Sequence, residues 1–336
     1  MILGKLIWLF ATLCVALAVG QDYDRIRELH ATLTSEIQLG IDLGTTQSVA
    51  AICTRGNVSV VPVDGEYLTP SVVYFSHEVS SEGSKPKPVV GSQAVRQRAA
   101  DSGTVIYASK RVIGQQFDNA IQHGMAGLPK SLTQDSRGRA SFRLANSDLV
   151  SPELIGALVL KKLKAASEAS PSLDWMRRTF GFRFKSLTVT VPVTFNVDQK
   201  AATVKACRMA GFRQVRVIEE PVAAAMAYGL GREKEATQVM VFDIGGGTLD
   251  IALLRFNSYS DNFYIETTDG DLHLGGEDFD FSFANWILTQ MNDQDLVQRI
   301  RASPVAWQKN IGGIRTRQKR IELCRPDLSL CCWVYC

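Results

Sequence analysis

Two short stretches of the 336-residue chain set an aspartate, glycines and threonines in the same order. Residues 38–52 run Gln-Leu-Gly-Ile-Asp-Leu-Gly-Thr-Thr-Gln-Ser-Val-Ala-Ala-Ile. About 200 positions later, residues 240–254 run Met-Val-Phe-Asp-Ile-Gly-Gly-Gly-Thr-Leu-Asp-Ile-Ala-Leu-Leu. Each is an apolar strand ending near an aspartate, a Gly/Thr turn and a second apolar strand, a pattern that predicts two β-hairpins. Gly44 in the first turn and Gly245, Gly246 and Gly247 in the second let backbone N–H groups come close to an anion. Successive N–H groups of that kind form an anion-binding nest. Thr45, Thr46 and Thr248 add hydroxyl donors, and Asp42 and Asp243 have the oxygen chemistry to hold Mg²⁺, through water. A single turn of this type does no more than join two strands in most proteins. Two of them, one in each half, imply a duplicated fold that clamps one polyphosphate from both sides. Neither is a Walker loop, since no Gly-Lys-Ser/Thr follows, and neither is a dinucleotide fingerprint.

The segments between the loops supply the elements that must hold them. Ser151-Pro152-Glu153 opens a helix, with Ser as cap and Pro at the first helical position, and Leu154, Ile155, Leu158, Val159 and Leu163 form its apolar stripe. Leu187–Phe195 reads as a strand, and Asn196 with Gln199 as the capping box of a helix ending near Gly211. Val215–Ile218 is a short strand, and Pro221 opens a further helix to Tyr228. Strands alternating with helices predict an α/β fold. Residues from about 80 to 148 are more polar and turn-rich and read as a subdomain inserted into the first lobe.

Composition bounds the classes. Hydrophobic residues make up 46% and charged residues 21%, which excludes a disordered or collagen-like chain. The net charge of +3 is too small to argue for a nucleic-acid partner. Residues 1–20 have the form of a secretory signal peptide: a lysine at position 5, an apolar run from Leu6 to Val19, then Ala18-Val19-Gly20 before Gln21. The run is too short for a stable membrane span. On that basis the expected location is the secretory pathway, in the endoplasmic reticulum lumen, where Asn57-Val58-Ser59 would be a glycosylation acceptor.

With these residues in view, the sequence resembles the ATPase domain of the 70-kilodalton heat-shock chaperone family over about residues 38–280. The resemblance rests on ordered blocks: Ile41-Asp42-Leu43-Gly44-Thr45-Thr46, Thr69-Pro70-Ser71, Ser109-Lys110-Arg111-Val112-Ile113-Gly114, Val189-Thr190-Val191-Pro192, Glu220–Gly229, Phe242–Thr248 and Leu274-Gly275-Gly276-Glu277-Asp278-Phe279-Asp280. It implies an actin-like (ribonuclease H-like) α/β ATPase fold with two lobes, and ATP with Mg²⁺ as ligands. It also implies that Lys110 lies near the γ-phosphate and attacking water, that Glu220 orders the metal's water shell, and that Asp42 and Asp243 are metal-side aspartates. Thr45, Thr46 and Thr248 match phosphate-contacting threonines. The implied partners are unfolded or partly folded proteins, J-domain co-chaperones and nucleotide exchange factors. Taken by itself, Lys110 would be a solvated lysine in a basic pair, and Glu220 ordinary helix-dipole pairing. Gln47 stands where an aromatic is common in the family, and Lys200 where Arg is frequent.

The expected organisation is thus a signal peptide over 1–20, a first lobe over 38–230 and the start of a second lobe over 237–280. Residues 281–336 would form a divergent tail, a partial helical subdomain at most. Four cysteines crowd that tail at 324, 331, 332 and 336, without a convincing zinc spacing. A Gly-Gly-Ser/Thr-Arg-Ile-Pro segment that completes the family's second lobe is not found, so the second lobe reads as incomplete and its hydrolysis as impaired. Two further classes stay open: a truncated, non-catalytic interaction protein and a small-molecule kinase of the same superfamily.

Overall fold

A computed structural model describes residues 37–76, 88–98, 105–122, 128–129, 131–228, 238–257 and 262–302. The leader over 1–20 and the cysteine-rich stretch beyond 302 lie outside the described residues. In chain order the strands are β1 (Ile37–Leu43), β2 (Gln47–Thr54), β3 (Asn57–Val60), β4 (Thr69–Pro70), β5 (Val73–Tyr74), β6 (Val89–Val90), β7 (Val105–Ile106) and β8 (Leu132–Gln134). They continue as β9 (Ala140–Arg143), β10 (Leu149–Val150), β11 (Ser186–Val191), β12 (Gln214–Glu219), β13 (Gln238–Ile244), β14 (Leu249–Asn257) and β15 (Asn262–Asp271). The helices are α1 (Ser92–Arg98), α2 (Phe117–Ile121), α3 (Pro152–Glu168), α4 (Asp174–Phe180), α5 (Val197–Met209), α6 (Glu220–Ala227), α7 (Gly276–Thr289) and α8 (Gln294–Ala302). A 3₁₀ turn spans Ser109–Val112.

Both predicted hairpins form. In β1 every second residue is apolar, and Leu39, Ile41 and Leu43 are buried as the two-residue strand period requires. β1 and β2 pair antiparallel up to Leu43 and Ser48, with residues 44–46 as the turn. β13 and β14 repeat this arrangement up to Ile244 and Leu249, leaving residues 245–248.

Around the first hairpin the main sheet runs in the order β12-β11-β1-β2-β3, with β4 paired to β2. β11 lies parallel to β1 and β12 parallel to β11, joined through α5. Helix α5 starts where the capping box places it: the Asn196 side chain accepts from Gln199 N, and the Gln199 side chain accepts from Asn196 N. Helix α3 begins with Ser151 accepting from Leu154 N and buries Ile155, Val159, Leu160 and Leu163 against α5 and the sheet. Strand β11 stops at Val191, four residues short of the expected Phe195, because Pro192 has no N–H to extend a ladder. One cluster of buried side chains joins Leu39, Ile41 and Ile52 of the sheet to Ile106, Ala108, Val112, Leu132 and Phe142.

The second sheet, β13-β14-β15, is antiparallel. Helix α6 leads directly from β12 and packs Ala225 against Val241, Ala252, Leu254 and Phe263 on one face of it. Among the described residues no helix is long and apolar enough to cross a membrane.

Candidate functional site

The two turns face each other. Together with Lys110 and Glu220 they enclose a cavity of about 60 Å³ lined by Asp42, Gly44, Thr45, Thr46, Gln47, Lys110, Glu220, Asp243, Gly245, Gly246 and Thr248. Residues more than 200 positions apart therefore meet in one cleft. Gly247, expected there as well, sits just behind it, where a Cβ would lie 2.7 Å from both Arg111 Nε and Thr45 Cγ2. At Gly246 a Cβ would come within 2.0 Å of Thr46 Oγ1, so the opposing loops touch at a point where only glycine fits.

Each functional side chain is set by an identifiable local device. Asp42 lies near the end of β1 and accepts a 2.6 Å hydrogen bond from Thr190 Oγ1 on β11. Asp243 occupies the matching place on β13, directly paired with Asp250 of β14. Asp250 is buried and accepts from Thr194 Oγ1 at 2.9 Å. Lys110 is carried by the 3₁₀ turn, which follows Ala108 in the left-handed region at φ 50. Such a conformation is strained for a residue with a Cβ, and the turn it begins carries Lys110 into the cleft and Arg111 behind it. Glu220 stands at the first turn of α6, and Lys110 Nζ donates to its Oε1 at 2.6 Å.

The electrostatics are lopsided. Asp42, Glu220, Asp243 and Asp250 all act on the Lys110 ammonium or on one another. Burial works against the charge on Lys110, but Glu220, Asp42 and Asp250 outweigh it and hold its pKa above the ordinary lysine value. Burial pushes Glu220 up to about 8, with Asp42 and Asp250 adding to the rise and Lys110 opposing it. Burial, then Asp250 and Asp42, lifts Asp243 to about 6. Carboxylates crowded closely enough to raise Glu220 and Asp243 make a site that gains from a cation. Gln47 Oε1 is buried without a hydrogen-bond partner among the described residues, an acceptor suited to a donor such as a metal-bound water. Among the described residues no three His, Cys, Asp or Glu side chains converge closely enough to ligate a metal directly. The donor set therefore fits Mg²⁺ held through its hydration shell, the habit of that ion.

A second group of residues ties the lobes together, and the motifs did not single it out for a role. Arg111 donates to both carboxylate oxygens of Asp278, at 2.9 and 2.5 Å, and to Gly246 O at 3.4 Å. Thr46 Oγ1 donates to Glu277 Oε1 at 3.1 Å. Asp250 and this Arg111–Asp278 clasp are the main omissions. The available hints were the opposite charges in the Lys110-Arg111 and Glu277-Asp278 blocks and an aspartate two residues beyond Thr248.

Asn57 lies away from the cleft, exposed at the first residue of β3.

The model of the Hsp70 protein family matches residues 38–315, so the match continues past the last recognisable block at Asp280. The chain is 36% identical over 274 residues to a mitochondrial heat shock 70 kDa protein of Trypanosoma cruzi, covering 78% of this chain and 39% of that protein. It is 36% identical over 264 residues to the mitochondrial iron-sulfur cluster biogenesis chaperone of Saccharomyces cerevisiae, covering 76% of this chain and 38% of that protein. The chain thus spans about two fifths of the length of these relatives. Both are mitochondrial, which overturns the expectation of the endoplasmic reticulum lumen. A charged start and a short apolar run report hydrophobicity, and hydrophobicity alone does not name the membrane that is addressed. The glycan expected on Asn57 required a secretory compartment and loses its premise.

Proposed function

The chain belongs to the Hsp70 family, and from that premise and the shape of the cleft we propose that it binds ATP with Mg²⁺ between its two hairpin loops and hydrolyses the γ-phosphate. The observation that carries this reading is the meeting of both Asp-Gly-Thr loops with Lys110 and Glu220 in one carboxylate-rich cleft. The loop amides and the hydroxyls of Thr45, Thr46 and Thr248 supply donors for phosphate oxygens. Asp42, Glu220 and Asp243, with Gln47, would hold the hydration shell of the metal. When bound there, the metal would neutralise charge on the phosphates. Lys110 is kept protonated by its carboxylate neighbours, which suits it to stabilise the charge that develops as water attacks phosphorus.

Parting of the two loops would widen the cavity, about 60 Å³ as it stands, for a triphosphate. The Arg111–Asp278 and Thr46–Glu277 contacts are the bonds that such parting would open. Coupling of this cycle to protein folding, with J-domain proteins and exchange factors as partners, follows from the family and stands as part of the proposal. The test is single-turnover hydrolysis of ATP by the full chain and by Lys110→Ala. Loss of the chemical step by about 100-fold or more is expected. An unchanged rate would remove Lys110 from the chemistry and with it the hydrolytic reading.

A further inference from the structure

We propose that Ser71 is a positioning residue that aims the Thr45 amide of the first loop at the phosphates; the inference rests on the nucleotide-binding reading above. Ser71 is buried, and its Oγ donates to Gly44 O at 2.8 Å. Its backbone N donates to Thr46 O at 2.9 Å, so one residue holds both sides of the turn. A serine hydroxyl has one proton to give, and that proton goes to Gly44 O. The 2.8 Å contact between Ser71 Oγ and the fully buried Ser48 Oγ must then run from Ser48 to Ser71. Ser48 to Ser71 to Gly44 is thus a directed chain. It is anchored by β4, whose Thr69 and Pro70 pair with Ser48 and Gln47.

The consequence follows from peptide geometry. In a planar trans peptide the C=O and the N–H point in opposite directions. Fixing Gly44 C=O toward Ser71 turns the N–H of Thr45 away from Ser71. Among the described residues that amide donates to no protein group, and Thr45 lines the cavity. The second loop uses the same device with a different donor. Gly245 holds the place in the β13–β14 turn that Gly44 holds in the β1–β2 turn, and its carbonyl accepts from Gly276 N at 3.0 Å, at the start of α7. Gly246, the counterpart of Thr45, also has an amide without a protein acceptor among the described residues. A side-chain hydroxyl in one lobe and a helix-start amide in the other fix equivalent carbonyls, and in each loop the amide that follows has no protein acceptor among the described residues.

The test is calorimetric titration of the full chain with Mg·ADP, inorganic pyrophosphate and adenosine, comparing wild type with Ser71→Ala and Ser71→Thr. Ser71→Ala should weaken Mg·ADP and pyrophosphate about ten-fold, the scale of one lost hydrogen bond, and leave adenosine unchanged. Ser71→Thr, which keeps the hydroxyl, should restore affinity for both phosphate ligands. Should thermal melting show that Ser71→Ala does not fold, Ser71→Cys, a weaker donor of similar size, takes its place with a smaller loss expected in the same two ligands. Equal weakening of adenosine and ADP would mean a general structural role and overturn the proposal. Unchanged ADP affinity in Ser71→Ala would overturn it while the nucleotide reading stood. Failure of wild type to bind any phosphate ligand would overturn both.

Discussion

The β1–β2 and β13–β14 hairpins share one sequence pattern and one turn geometry, but they do not share an environment. Leu39 and Ile41 on β1 are 2% and 1% exposed; Met240 and Phe242, at the matching positions of β13, are 69% and 44% exposed. β1 lies between β11 and β2 with α3 packed over the sheet. β13 pairs, among the described residues, with β14 alone, and α6 covers only the face that carries Val241. Local sequence therefore makes the hairpin and its loop, whereas neighbours remote in sequence decide how deeply it is buried. The loops themselves converge because Arg111, Thr46, Glu277 and Asp278 draw them together.

The largest effect expected from this contrast is on stability. Ile41→Ala should cost about 2–5 kcal/mol in urea unfolding, the range for emptying a packed core site. Phe242→Ala, on the exposed face, should cost less than about 1 kcal/mol. Equal costs would break the comparison.

The paired aspartates should respond oppositely to loss of charge. Asp243 has a folded pKa of about 6 against an ordinary value of 3.8, so the folded state binds the proton more tightly than the unfolded state. Its ionised form therefore weakens the ligand-free protein, fully so above about pH 6. Asp243→Asn should raise stability by on the order of 1–2 kcal/mol at pH 7.5. The gain should shrink as pH falls through 6 and vanish near 4. Asp42→Asn weakens the acceptor of the 2.6 Å bond from Thr190 and should lower stability slightly instead. Thermal melts across that pH range separate the two.

The clasp offers the smallest and most selective test. Asp278→Asn leaves a hydrogen bond to Arg111 but removes the charge, and should speed association of Mg·ATP several-fold in stopped-flow binding. An unchanged rate would show that loop separation does not limit entry.

Much of the site was legible because its signals are local. Asp-x-Gly turns, the Ser151 and Asn196 caps and the two-residue strand period each act within a few residues. What escaped acts across the chain. The partners of Arg111 lie 167 positions away at Asp278, and Ser71 reaches Gly44 over 27 positions. Asp250 takes its role from its cross-strand pairing with Asp243, which residue order by itself does not show. The end of β11 at Val191 was readable from Pro192, yet the apolar residues beyond it outweighed the missing N–H. The compartment is not legible in the leader, since hydrophobicity alone does not name the membrane that is addressed.

The claim that both hairpins grip one ligand is tested most directly by titrating Mg·ATP into wild type, Asp42→Asn, Asp243→Asn and the double variant at pH 7.5. Each single substitution should weaken binding about ten-fold or more, and lowering Mg²⁺ should matter less to either variant than to wild type. If one aspartate proves dispensable for Mg·ATP, or if Mg²⁺ has no influence on wild type, the ligand is not held between the two loops and the account is wrong.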